Sequence, residues 1–123
     1  WRPEAQDTNS VTVLASHALG ACRAWVCMAV GAPPPDRSRE AEFQSEFDSE
    51  ERALAFVHDI RADTLRVLDD AGSIDWASTT RPANAPVEAP QFSRAFALLH
   101  AIEHLREHVA HLQLTRQLWD ARA

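Results

Sequence analysis

Polar and apolar positions along the chain fall into three long helical patterns separated by two stretches that have none. From Asn9-Ser10, either of which suits an N-cap, to about Val30 the chain is nearly all Ala, Val, Leu, Cys, Trp and Met, with Arg23 its one formal charge. A strand is conceivable for Val11-Thr-Val-Leu, but the length and the alanines favour a helix. With roughly 100° of turn per residue, Leu14, Ala21, Trp25 and Met28 fall to one side of His17 and Val13 and Ala24 to the other, so His17 is central in the apolar stripe. Gly31-Ala-Pro-Pro-Pro-Asp ends this helix, and Arg37 to Phe43 reads as a charged connection.

Asp48 with Glu51 has the form of a capping box and opens a second helix, from Ser49 to about Asp70. Leu54, Val57, Ile60, Leu65 and Leu68 make its apolar face, which Glu50 and Arg61 interrupt, and His58 lies at its margin as a surface residue. Ala71-Gly72 stops it. A long segment with Trp76, Pro82, Pro86 and Pro90 follows, of a length often given to lids over sites. The last helix runs from about Phe92 to Ala121 without glycine or proline. Leu98, Ala101, Leu105, Val109, Leu112 and Trp119 form its apolar sector, and Glu103, Arg106, Glu107 and Gln117 its polar one. The histidines fill the gap between the two. His104 and His108 lie against the apolar sector, whereas His100 and His111 lie nearer the charged one.

The fold class expected from this pattern is all-α. A chain of 123 residues makes one domain, spanning 1–123, and 46% apolar with 24% charged residues places it among folded proteins. The net charge of −6 argues against a nucleic-acid partner. No apolar run is read as a membrane span and no signal segment is apparent, so a cytoplasmic location is expected. Cys22 and Cys27 lie about 140° apart on one helix and are expected to be reduced.

Chemistry concentrates in the histidines. Two imidazoles at i and i+4 on one helix face reach one point in space, as metal ligands do, and this selects His104 and His108. His17, buried on another helix, supplies a third. Three neutral imidazoles with an open fourth position suit a catalytic divalent ion. No glycine-rich phosphate loop and no Ser-His-Asp order is present.

Four stretches also carry a family resemblance. They are Asn9 to His17, Asp36 to Phe43, Leu98 to His108, and Gln113-Leu-Thr-Arg-Gln-Leu-Trp119. In this order they resemble the DinB-like superfamily, which includes the YfiT-type metal-dependent hydrolases. The resemblance implies an up-down four-helix bundle holding zinc or nickel through one histidine of its second helix and two of its fourth, here His17, His104 and His108. It implies a small-molecule substrate and thiol S-transferase, isomerase or hydrolase chemistry, with a low-molecular-weight thiol such as bacillithiol or mycothiol as co-substrate. The chain departs from the family at Ala110-His111, where a Gly-Gln pair is common. It departs again before Trp1, where the family's first helix is absent and only three helices are visible. The chain is therefore expected to be truncated at its N-terminus, its exposed groove filled by that helix, by a neighbouring chain or by homodimer contacts. The competing expectation is a non-enzymatic metal-binding bundle serving as a stress-related interaction module.

Overall fold

A computed structural model describes residues 1–4, 6–82 and 85–122. The protein is predominantly helical, as its periodicity predicts: α1 (Val11–Val30), the one-turn α2 (Arg39–Phe43), α3 (Glu50–Asp69) and α4 (Arg94–Asp120). Two-residue strands, β1 (Thr79–Thr80) and β2 (Phe92–Ser93), pair antiparallel within the proline-rich segment, with Thr79 opposite Ser93.

Each helix begins at a serine whose hydroxyl accepts a backbone N–H three residues on: Ser10 from Val13, Ser38 from Ala41, Ser49 from Arg52 and Ser93 from Phe96. The capping box expected at Asp48 and Glu51 is not formed. Ser49 takes the N-cap, and Asp48 pairs instead with the Arg52 guanidinium. Helix α1 ends on Gly31 in the left-handed region, φ 79°. There the Arg94 guanidinium donates to the carbonyls of Met28 (3.4 Å) and Ala29 (3.0 Å), satisfying acceptors that a helix end leaves open.

Helix α1 is the centre of the fold, packing against both α3 and α4, while α3 and α4 scarcely meet. Their directions depart from up-down alternation. The Thr12 hydroxyl donates to Ser45 O (3.1 Å), just ahead of α3, and Arg23 pairs with Asp63 (2.7 Å) deep along it, so α1 and α3 run parallel. Helix α4 is antiparallel to both, its first residue reaching the end of α1. Residues 31–49 make this possible. They are numerous enough to return along the whole of α1, about 30 Å for twenty residues.

Two other expectations need correction. Helix α1 is long and apolar enough to cross a bilayer, with mean hydropathy 1.5 over the best window. It is also the core helix, half buried within this chain and carrying Arg23. The apolar faces expected on the other long helices are largely uncovered. Among the described residues none of α3 is buried, and in α4 only Ala97, Ala101 and Thr115 are. Leu54, Leu65, Leu99, Ile102, Val109 and Trp119 are exposed. Cys22 and Cys27 are both free thiols, and burial pushes both pKa values up.

Candidate metal centre

The residues that face α1 from α4 recur at Ala97, Ala101, His104, His108 and Thr115, spacings of three, four and seven that keep one face of a helix. The histidines are therefore part of the contact with α1, not a margin between sectors. Across the seam, His17 is buried near the middle of α1. Its ring centroid lies 5.3 Å from that of His104 and 5.1 Å from that of His108. One nitrogen from each ring lies within 4.8 Å of the other two.

His17 is oriented from the side away from α4. Its Nδ1 lies 3.0 Å from Oε2 of Glu42, a buried carboxylate on α2. Arg37 grips the same carboxylate in two bonds, Nε to Oε1 (2.6 Å) and Nη2 to Oε2 (2.8 Å). Burial drives the Glu42 pKa up, but the hydrogen bonds from Arg37 and His17 outweigh it and leave a net lowering. An ionised carboxylate only accepts, so Nδ1 of His17 carries the proton, and in the neutral ring Nε2 keeps the free lone pair. Phe43, one residue on, lies against the His17 ring at 5.0 Å.

Helix α2 can lie this close because residue 20 of α1 has no side chain. A Cβ at Gly20 would overlap Oε1 of Glu42 and come within 3.4 Å of Arg37 Nε. Glycine inside a helix costs about 1 kcal/mol relative to alanine, and here it leaves the space that the ion pair fills.

His104 and His108 bring their Nε2 atoms to 3.3 Å from each other. Both Nδ1 atoms are buried and, among the described residues, without a hydrogen-bond partner. Burial lowers both pKa values, and the charges of the neighbouring histidines add to this, so the unprotonated ligand form is favoured. Nitrogens each about 2.0–2.1 Å from one tetrahedral zinc stand about 3.3–3.4 Å apart. The His104–His108 spacing is that distance, and the donor set fits a borderline metal such as zinc or nickel. Only His17 has the carboxylate brace that metal-bound histidines commonly carry.

The other histidines stand apart. His100 packs edge-on to Trp25 at 4.3 Å, with Nδ1 3.9 Å from Glu103 Oε2. His111 is exposed, its ring 5.6 Å from that of His108, and His58 is exposed on α3 as expected. The periodicity did not single out Glu42 and Arg37. Gly20, an isolated glycine three residues after a buried histidine, was the mark of something packing closely there.

No protein-family model, curated protein or solved structure matches the chain.

Proposed function

We propose that this protein is a metal-dependent enzyme of the DinB-like kind, its ion held by His17, His104 and His108. The observation that carries the reading is the convergence of three imidazoles from two helices, one already fixed in its ligating tautomer by Glu42 and Arg37. A divalent ion bound there would supply Lewis-acid activation of a thiol or a water at its open position.

The chain's own residues favour the thiol. Hydrolysis calls for a general base within reach of the attacking water. Glu42 is committed to Arg37 and His17, and the Glu103 side chain is 81% exposed, turned away from the seam. A thiol needs no such base once its proton is lost, because the thiolate is itself the nucleophile. Thiol-dependent transfer to a small electrophilic substrate is therefore the reaction class proposed, with hydrolysis the lesser reading. The same lack of a base favours the non-enzymatic alternative, a bundle that binds metal without turnover.

Turnover of a low-molecular-weight thiol with an electrophilic acceptor, measured in wild type and His104→Ala, separates the two. Activity abolished by the substitution supports the enzyme, and activity unchanged by it removes this ligand from the reaction. The uncovered faces of α3 and α4 fit the same proposal as the seat of a fourth helix, from a preceding segment or a second copy of the chain. A monodisperse monomer of the sequence given would leave the preceding segment as the candidate.

A further inference from the structure

A cleft of about 400 Å³ opens beyond the end of the Arg37–Glu42 pair, on the face of α1 that carries His17. Trp25 and Met28 form part of its floor, and Pro35 and Pro82 part of its walls. Thr80, Arg81 and Pro82 of the proline-rich segment line one side of it. The Thr80 hydroxyl donates to Met28 O (3.3 Å), the β1–β2 pair holds the segment's two ends together, and Arg94 ties the start of α4 to α1. Residues 80–82 are thus one wall of a cavity whose size is in the range of small-molecule sites.

Its charged side chains are all cationic. Two arginines line it, Arg37 and Arg81, and no carboxylate does, in a protein whose net charge is −6. Arg37 spends Nε and Nη2 on Glu42, leaving Nη1 without a protein acceptor among the described residues. Arg81 donates Nη1 to Val87 O (2.9 Å) and makes no ion pair among the described residues. The Trp25 indole N–H likewise has no protein acceptor among them. An apolar floor with donors and an arginine that no carboxylate among the described residues pairs is complementary to an organic anion with an apolar body.

We propose that this cleft binds a small carboxylic acid bearing an aryl or alkyl body, with its carboxylate on Arg81 and its body over Trp25 and Met28. Arg37 also holds the carboxylate that braces His17, which links one wall of the cleft to α2. The binding proposal stands independently of the metal-enzyme reading.

The test titrates the full chain with 3-phenylpropanoate, 3-phenylpropan-1-ol and 3-phenylpropylamine. Binding is read from the Trp25 indole resonance in ¹⁵N spectra, assigned through Trp25→Phe. The carboxylate is expected to bind about tenfold more tightly than the alcohol, and the amine most weakly, as a charge-assisted contact predicts. Arg81→Gln should bring the carboxylate to the affinity of the alcohol and leave the alcohol unchanged, which also shows that the variant is folded. Equal affinity for all three, or no shift up to about 10 mM, overturns the proposal. The titration is repeated on metal-free His104→Ala. Binding that persists there upholds the cleft even if the metal reading fails. Carboxylate binding that requires added zinc and vanishes in that variant means the ion takes the carboxylate, and the cleft as anion site is wrong.

Discussion

The seam between α1 and α4 and the outer faces of α3 and α4 are both apolar, yet they sort residues by size in opposite ways. In the seam Ala18, Ala21, Ala97 and Ala101 are at most 3% exposed. On the outer faces Leu54 is 50%, Ile102 52% and Leu99 65% exposed. Small side chains let the axes of α1 and α4 approach closely, and the bulk that remains between them includes three imidazoles. The alanines are what bring ligands from two helices to one point. The large residues outside have no such neighbour among the described residues, and a contiguous apolar face of that kind usually marks a contact surface.

The largest effect is expected where bulk is added to the seam. Ala21→Leu forces extra methylenes between α1 and α4 and should cost about 1–3 kcal/mol in urea denaturation, the usual penalty of overpacking. A change below about 0.5 kcal/mol would mean the seam is looser than described. Next comes the brace. Glu42→Gln keeps the size of the side chain but removes the charge that fixes the His17 proton on Nδ1, and should weaken zinc binding about 10–100-fold. Unchanged affinity would leave Glu42 a structural partner of Arg37 alone.

A smaller effect is expected from pH on the metal-free protein. Burial holds the folded pKa values of His104 and His108 below their ordinary value of about 6.5, so below that pH the unfolded chain binds more protons. Their contribution to stability is full above about pH 6.5 and is lost as the pH falls through the lowered folded values. Denaturation curves at a series of pH values should show that slope, and His104→Gln with His108→Gln should remove it. Smallest of all should be Leu99→Ser on the outer face, within about 0.5 kcal/mol for an isolated monomer. A loss of about 2 kcal/mol or more would show that a partner covers Leu99 in solution.

How much of this was legible in the sequence differs by region. The three long helices could be read from period, serine N-caps and breakers, because Gly31 and the prolines after it end α1 and the stretch from Ala71-Gly72 to Pro90 separates α3 from α4. His17, His104 and His108 could be singled out because a helix wheel fixes which residues share a face. The wheel was less informative about what that face meets. It put Leu98, Leu105 and Val109 in one apolar sector of α4 with Ala101, of which Ala101 is buried, but α1 lies against the histidines and alanines, and burial depends on where the neighbouring helix runs. The parallel course of α1 and α3 was not legible either, since it depends on the path of residues 31–49. Glu42 and Arg37 were hidden for the same reason. Their partner is twenty-five residues from Glu42 in sequence, and Gly20 alone pointed to the contact.

In the proposed metal site His17, His104 and His108 hold one divalent ion together. The most direct measurement is metal analysis of the protein purified without a histidine tag, alongside His17→Ala and His104→Ala. About one equivalent of zinc or nickel is predicted in the parent, matching a single three-histidine site, and its loss from both variants. Less than about a tenth of an equivalent in the parent, or retention in His17→Ala, would contradict it, because α4 would then be binding metal without α1 or no site would exist.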